Sequence, residues 1–138
     1  MIQYEINKDV TNETLNALFS DAWPNHAPRD FSPVLSRNLG HVCATQDGVL
    51  LGFVNVAWDG GAHAFLLDPT VRSDFQRQGV GTCLVRRAID LARSKDVEWL
   101  HVDYKPRLAE FYANCGFRKT EAGLMNLKQR DTKPWRGA

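Results

Sequence analysis

The residues of this chain that could most readily hold a charged ligand lie in the polar turn at positions 71–82. There, Gly79 and Gly81 precede a long stretch with helical periodicity. Glycine lets the backbone approach a ligand closely, and the first amides of a helix have no acceptor within that helix. With the helix dipole they favour an anion such as a pyrophosphate, and Arg77 adds a positive charge. Neither GxxxxGK nor GxGxxG occurs, so the glycines alone are equally compatible with a helix start that binds no ligand.

Hydrophobic periodicity places this turn between a strand and the longest predicted helix, which begins at Val80. Alternating patterns and turn residues predict the remaining elements. In chain order these are strand 2–6, a helix from Thr11, helix 31–39, strands 41–45, 49–58 and 62–71, the long helix, strand 98–103, a helix from Pro106 to Gly116, and strands 117–120 and 124–127. Pro69 lacks an amide donor, so we expect a bulge in strand 62–71. The order predicts a mixed α/β domain with an antiparallel central meander.

The composition excludes several classes of protein. The chain has 138 residues, enough for one domain with a sizeable core, and its 17 basic and 16 acidic side chains give a net charge of +1. Because dedicated nucleic-acid binders usually have a strong basic excess, we expect no nucleic-acid partner. The scattered 3 cysteines and 4 histidines predict buried, reduced thiols and no metal site. No secretory signal or membrane-spanning stretch is visible, which predicts a cytoplasmic protein without a membrane partner.

Two segments resemble one known family. Residues 76–81 read QRQGVG and match the signature [QR]-x-x-G-x-[GA] of the GNAT N-acetyltransferases, at the expected place after a central strand. Residues 108–117 read LAEFYANCGF and are similar to that superfamily's "FY…GF" helix and following strand. The resemblance implies an α/β (α+β) fold with a mostly antiparallel sheet of six to seven strands, about four helices and a splayed pair of parallel strands. It covers one domain at residues 1–127, which leaves a polar C-terminal tail at residues 128–138.

The resemblance also implies acetyl-CoA as co-substrate, lying between the splayed strands 62–71 and 98–103. The turn amides would hold the pyrophosphate, and backbone groups at the end of strand 62–71 would pair with the pantetheine arm. The cofactor-binding residues so implied are Thr70, Val71, Gln76, Arg77, Gln78, Gly79, Val80, Gly81, Thr82 and Lys105. Many members have an asparagine at the position of Lys105, so this contact departs from the family pattern.

Catalytic roles follow from the same resemblance. Tyr112 matches the family tyrosine that protonates the departing CoA thiolate, although an ordinary core aromatic would also fit its helix stripe. A lysine-like amine must first lose a proton, which costs about 4.6 kcal/mol at pH 7, against about 1 kcal/mol for an α-amine. Asp68, beside the predicted bulge, is the first candidate for the general base. Asp103, His101, His63 and water-mediated deprotonation remain alternatives.

The acceptor side of such a fold would be formed by the first two helices, their loop and the meander. In this chain that predicts acceptor-binding roles for Trp23, His26, Trp58 and Asp103, although both tryptophans could equally close an ordinary core. The predicted function is transfer of an acetyl group to a primary amine of a small molecule or a protein. The alternatives are a non-catalytic acyl-CoA-binding regulatory module and a nucleotide phosphate-binding domain. A homodimer is compatible with the sequence, which does not identify the acceptor.

Overall fold

The computed structural model describes residues 1–129 and contains one mixed sheet with helices on both faces. The strands are β1 (Gln3–Ile6), β2 (Asn38–Gln46), β3 (Val49–Trp58), β4 (His63–Val71) and β5 (Trp99–Val102). The helices are α1 (Asn12–Ala22), α2 (Ser32–Arg37), α3 (Val80–Ser94) and α4 (Ala109–Asn114). Two short 3-10 turns, Ser73–Phe75 and Pro106–Leu108, precede α3 and α4. The sheet order is β1-β2-β3-β4-β5, so consecutive strands are neighbours throughout.

The sheet is antiparallel from β1 to β4, and only β4 and β5 run parallel. Asp47 and Gly48 both have positive φ in the tight turn between β2 and β3, which is the geometry that an Asp-Gly hairpin requires. The parallel pairing joins His63 to Trp99 and ends at Leu66 and Val102. Strand β4 continues to Val71, so its last five residues, from Leu67, have no partner in β5. This opening is the predicted splay.

The two faces of the sheet bury separate hydrophobic clusters. Helices α3 and α4 cover one face, where Leu84, Val85 and Tyr112 pack against Val54 and Val56 of β3. Helices α1 and α2 cover the other face, where their side chains and those of β2 and β3 form a second cluster of Leu15, Leu18, Phe19, Phe31, Cys43 and Phe53. Helices α1 and α2 leave part of this face uncovered, because three side chains of β4 and β5 remain exposed there: Phe65, Leu67 and Trp99.

Helix boundaries follow local chemistry. Thr11 is the N-cap of α1, and its hydroxyl accepts the Thr14 amide while the Thr14 hydroxyl caps the Thr11 backbone. Gly116 (φ +103°) follows α4 and takes the left-handed conformation that ends many helices. The predicted long helix and the predicted third strand of the meander correspond to α3 and β4 within a residue or two at each end.

Four expectations need correction. Within residues 1–129 the sheet has five strands rather than six or seven, because the segments predicted as strands at 117–120 and 124–127 have no regular structure. The outer edge of β5 is unpaired within the described residues, but these segments do not join it, so alternation alone did not suffice to form a strand. Helix α2 ends at Arg37, since Leu39 and Gly40 already pair within β2. The prediction that the cysteines are buried holds only for Cys43, because Cys83 is exposed and Cys115 is half-buried.

Two further observations bear on the class of protein. Within residues 1–129, no helix has the length and apolar composition needed to cross a membrane. The same residues include no group of three or more His, Cys, Asp or Glu side chains that could hold a metal ion. Most of the predicted polar tail, residues 130–138, lies outside the described part of the chain.

Candidate functional site

The start of α3 presents free backbone donors. Gly79 is the N-cap, in the left-handed conformation at φ +86°, and it has no side chain that could cap the helix. The first intrahelical bond runs from the Cys83 amide to the Gly79 carbonyl at 3.1 Å. The amides of Val80, Gly81 and Thr82 therefore point out of the first turn without helical acceptors. A helix of 15 residues adds the positive end of its dipole to these donors.

The turn before α3 is shaped by its own side chains. Arg77 also has a positive φ, of 63°, so the chain reverses sharply between Gln76 and Gly79. The side-chain amide of Gln76 donates to the Val71 carbonyl at 3.0 Å, and that of Gln78 donates to the Asp74 carbonyl at 3.3 Å. The two glutamines thus brace the turn, and its anion donors are backbone amides and the Arg77 guanidinium.

The unpaired end of β4 offers a second row of backbone groups. The Arg72 amide donates to the Leu51 carbonyl of β3 at 2.7 Å. Residues of an antiparallel strand face their neighbour alternately, so Thr70 also faces β3 and Val71 faces away from it. The bond from Gln76 to the Val71 carbonyl agrees with this direction. The Val71 backbone is therefore open to an added chain in the gap that β5 leaves.

Helices α3 and α4 meet at the edge of this gap. A Cβ atom placed on Gly81 would lie 3.6 Å from the Phe111 ring and 3.8 Å from a Val71 methyl group, which is ordinary van der Waals contact. Because Gly81 is small, the first turn of α3 lies close to α4 and to the end of β4. The free amides, the open strand edge and the residues of α4 therefore lie together in one narrow region.

Tyr112 lies on α4 with its ring in the core and is 3% exposed. Its ring stacks on Tyr104 at 5.1 Å between centroids and meets Phe111 and Phe117 edge-on. Burial raises the pKa of Tyr112 from 10.0 to about 12, and Cys115 adds a smaller effect in the same direction. Within residues 1–129 its hydroxyl has no hydrogen-bond partner, and the raised pKa keeps the group protonated at neutral pH.

The predicted bulge occurs at Asp68 and Pro69. Phe53 pairs with Thr70 and Asn55 with Leu67, so two residues of β4 oppose one of β3 between these pairs. Asp68 has φ +54°, a conformation that aspartate tolerates better than most residues. One carboxylate oxygen of Asp68 lies 3.2 Å from Arg29 Nη2, and both side chains are about half exposed. Within residues 1–129, the other oxygen has no hydrogen-bond partner.

Arg29 is itself held in place by aromatic rings. Its guanidinium lies 4.4 Å from the centroid of Phe31 and 5.4 Å from that of Phe19, both in the buried cluster under α1 and α2. Such contacts over ring faces are attractive and orient the cation. The loop between α1 and α2 is therefore fixed against the bulge by a positioned cation.

Three further hydrogen bonds join the end of α1 to the end of β4 and to the turn that follows it. The Trp23 indole N–H donates to the Thr70 hydroxyl at 3.0 Å. The Asp21 carboxylate accepts from the Ser73 amide at 2.7 Å and from its hydroxyl at 3.0 Å. These two bonds lower the pKa of Asp21, and nearby Arg72 acts in the same direction. The acceptor-side helix and the cofactor-side turn are thus directly connected.

The other predicted acceptor residues are not all brought together. His26 bonds Asn16 Oδ1 at 2.8 Å and packs beside Phe19, close to Arg29. Trp58 donates its indole N–H to the Gly61 carbonyl at 2.8 Å and closes its own hairpin. It pairs with Ala64 at the start of β4, six residues from Thr70, or about 20 Å along a strand. Trp23 and Trp58 therefore do not share one wall.

The remaining candidates lie around β5. Asp103 and Lys105 are exposed and follow β5, on the way to the 3-10 turn at Pro106–Leu108. His63 and His101, the alternative bases, are hydrogen-bonded to each other between ring nitrogens at 2.8 Å. They lie in the paired part of β4 and β5, before the gap opens.

Comparison with known proteins identifies the family to which this arrangement belongs. A family model described as the acetyltransferase (GNAT) family matches residues 8–117. The chain belongs to the GNAT acetyltransferase family. The family uses acetyl-CoA as co-substrate, and the free amides, the open β4 edge and the space at Gly81 fit that molecule.

Among curated GNAT relatives, the chain is similar to the mycothiol acetyltransferase of Mycolicibacterium vanbaalenii, with 28% identity over 102 residues. This match covers 70% of the chain and 34% of the relative. An uncharacterized N-acetyltransferase, ycf52, of Gracilaria tenuistipitata is 31% identical over 78 residues, which cover 56% of the chain and 43% of the relative. The chain thus spans less than half the length of these relatives.

Solved GNAT structures have the same fold. A GNAT family acetyltransferase from Streptococcus pneumoniae superposes with a TM-score of 0.77 at 21% identity, covering 92% of this chain and 99% of the other. The aminoglycoside N-acetyltransferase AAC(6')-Iy in complex with CoA gives a TM-score of 0.72 at 20% identity, covering 96% and 95%. At these identities the likeness concerns the fold alone.

Sequence reasoning missed three residues of this region. Arg29 and Asp21 lie in a loop and at a helix end, where nothing local marks them as partners of β4. Asn55 is the exception, because a single amide inside the apolar run of β3 is a visible anomaly. An interior asparagine needs partners for four hydrogen bonds, so its place in an apolar run is a signal that could have found it.

Proposed function

We propose that this chain transfers the acetyl group of acetyl-CoA to a primary amine of a small molecule or a protein. The observation that carries the proposal is the meeting of two sets of free backbone groups, at the first turn of α3 and at the unpaired end of β4. The amides of Val80, Gly81 and Thr82 suit a pyrophosphate, and Val71 suits an extended amide-bearing arm. Family membership supplies the class of reaction.

The cofactor-binding role falls mainly on the backbone. Amide donors and the α3 dipole would hold the pyrophosphate, with Arg77 as the added cation. Gln76 and Gln78 would act by bracing the turn, and Thr70 by fixing the strand end through Trp23. Val80 contributes its amide while its side chain is buried in the core. Lys105 is exposed near the gap and would meet a phosphate or a carbonyl oxygen.

Tyr112 would act as general acid. In the transfer, the acceptor nitrogen forms a bond to the thioester carbonyl carbon, the carbon–sulfur bond breaks, and the thiolate leaves as the CoA thiol after taking a proton. The Tyr112 hydroxyl keeps its proton because burial raises its pKa to about 12. It has no hydrogen-bond partner within residues 1–129, so it is available to donate. General acid help of this kind is typically worth about 10²–10⁴ in rate.

Asp68 would receive the proton of the acceptor ammonium. Arg29 holds one carboxylate oxygen at 3.2 Å and leaves the other available at the bulge. The bulge carries the carboxylate to the end of β4, where the strands part. Trp23 and His26 would line the acceptor side with Arg29, whereas Asp103 would reach it from the end of β5. Trp58 would contribute only to an acceptor long enough to reach the hairpin between β3 and β4.

The test is CoA thiol release from acetyl-CoA across a panel of primary amines, together with calorimetry of CoA binding. We expect tight CoA binding and turnover with at least one amine. CoA binding without turnover on any amine would point to a regulatory acyl-CoA-binding module. Binding of ATP without binding of CoA would contradict the cofactor assignment itself.

A further inference from the structure

A pocket lies beside the bulge, between α2 and the open face of the sheet. Its volume is about 290 Å³. For comparison, a cavity of about 150 Å³ can hold benzene. The pocket is lined by Pro33, Val34, Arg37, Asn38, Asn55, Ala57 and Leu67. Leu67 immediately precedes Asp68, so the pocket opens next to the predicted base.

One buried donor in this pocket has no partner. Asn55 is 1% exposed, and its Oδ1 accepts from the Asn38 side chain at 2.7 Å. Its Nδ2 is fully buried and unpartnered within residues 1–129. A buried polar group without a partner costs about 1–3 kcal/mol, so such groups usually mark an unmet contact. Because Nδ2 has no exposed surface, it lies beneath the wall of the pocket, and the surface that a guest would meet there is apolar.

The walls of the pocket favour an apolar and uncharged guest. Pro33, Val34, Ala57 and Leu67 supply hydrocarbon surface, and none of the lining residues is acidic. The charged member is Arg37, whose Nη1 donates to the Pro33 carbonyl at 3.1 Å at the end of α2. Arg29 brings a second cation to the nearby bulge. A guest with several ammonium groups would find no carboxylate in these walls to pair with.

We propose that this pocket receives the apolar body of the acetyl acceptor. The inference rests on the proposed function and narrows its acceptor class. The acceptor is then a primary amine that carries an apolar group of about benzyl size. Polyamines and other polycationic amines are excluded from this class.

The experiment compares two amides that share the same α-amine and carbonyl and differ only in the apolar group. Phenylalaninamide carries the group and glycinamide lacks it. We expect kcat/KM for phenylalaninamide to exceed that for glycinamide by about tenfold or more, as burial of an aromatic ring allows. The variant Ala57→Phe fills the pocket and should abolish this preference. Ala62→Phe, at an exposed hairpin position, is the matched control and should keep the preference.

A second measurement detects binding in the pocket without catalytic turnover. In the presence of CoA, N-acetylphenylalaninamide should shift the NMR signals of the Asn55 side-chain amide saturably, and N-acetylglycinamide should not. Equal kcat/KM for the two amides, a preference that survives in Ala57→Phe, or an unshifted Asn55 amide would each overturn the inference. Turnover of other amines with neither amide accepted would also overturn it and leave the proposed function intact. Absence of turnover with every amine contradicts the proposed function instead.

Discussion

The two halves of the site are built from different parts of the polypeptide. On the cofactor side, the groups that would touch a ligand are backbone amides at the start of α3 and the end of β4. On the acceptor side they are side chains, chiefly Arg29 and Asp68. A backbone site depends on the path of the chain and tolerates many side chains, whereas a side-chain site depends on each residue. The contrast explains how one fold can keep its co-substrate while its acceptor changes.

The largest effect should come from Tyr112, where the two halves meet. Tyr112→Phe keeps the ring in its packing and removes only the hydroxyl. We expect kcat to fall by about 10²–10⁴ with an unchanged KM for acetyl-CoA. Burial raises the pKa of Tyr112 to about 12, so the wild-type rate should show no loss from this group below about pH 11. Steady-state kinetics between pH 7 and pH 10 would check both expectations.

Tyr104→Phe is the matched control, because it makes the same chemical change on the ring that stacks on Tyr112 at 5.1 Å. Its kcat should stay within about twofold of the wild type. If both variants lost activity equally, the tyrosine pair would be acting through packing and the acid role would be contradicted.

The next effect tests whether the cofactor half is a backbone site. Gly81→Asp would place a carboxylate in the first turn of α3, and about 5 Å from one phosphate charge this costs about 3 kcal/mol at an effective dielectric constant near 20. We expect the Kd for CoA to rise roughly a hundredfold in calorimetry. Gly81→Ala meets Phe111 only at ordinary contact distance, so its Kd should change little. Equal affinities for all three proteins would refute the assignment of the pyrophosphate to this turn.

The same contrast separates what could be predicted from the sequence. The glycine turn, the long helix, the Asp-Gly hairpin and the bulge at Pro69 all follow from residues adjacent in the chain. Their physics is local, since it depends on φ preferences, missing amide donors and helix ends. The last two predicted strands failed for the complementary reason. A strand forms only when it pairs with a partner, and residues 117–127 do not pair with the free edge of β5 in the described chain. Local alternation does not specify such pairing.

The acceptor half could not be predicted in this way, because its contacts join distant parts of the sequence. Arg29 and Asp68 are 39 residues apart, Trp23 and Thr70 are 47 apart, and Asp21 and Ser73 are 52 apart. No local pattern specifies such pairs. The two tryptophans predicted for the acceptor side show the consequence, because the register of β3 and β4 keeps Trp58 far from Trp23.

A smaller effect distinguishes a base from a structural tie at Asp68. Asp68→Asn removes the charge and still accepts from Arg29, whereas Arg29→Gln breaks the ion pair and leaves the carboxylate. If Asp68 is the base, Asp68→Asn should lower kcat/KM for a lysine-like amine about tenfold and for an α-amine only slightly, because the α-amine needs less help. Arg29→Gln should change both values by less. Equal losses in the two variants would show that Asp68 acts only through its ion pair, which links β4 to the α1–α2 loop.

The smallest effect concerns stability and compares the two cores. Burial raises the pKa of the Cys43 thiol, in the cluster under α1 and α2, from 9.0 to about 12, with smaller opposing effects of Lys8 and Glu5. The folded protein thus keeps a proton that the unfolded chain loses above pH 9, so stability falls as pH rises through this range. Between pH 8 and pH 9.5 the loss is about 0.8 kcal/mol. Cys43→Ala should remove this slope in urea unfolding, at the cost of a constant loss from the smaller side chain.

Cys83→Ala is the control for this measurement, because Cys83 is exposed and lies on α3. Its stability should keep the wild-type dependence on pH between 8 and 9.5. In the opposite cluster, burial also raises the pKa of the Cys115 thiol and raises that of Tyr112 from 10.0 to about 12, so these groups add their own loss of stability at alkaline pH. Cys43→Ala should therefore remove only the part of the slope that Cys43 contributes. If Cys43→Ala kept the wild-type slope, the Cys43 thiol would be ionising in the folded protein, and this cluster would be wetter than its packing indicates.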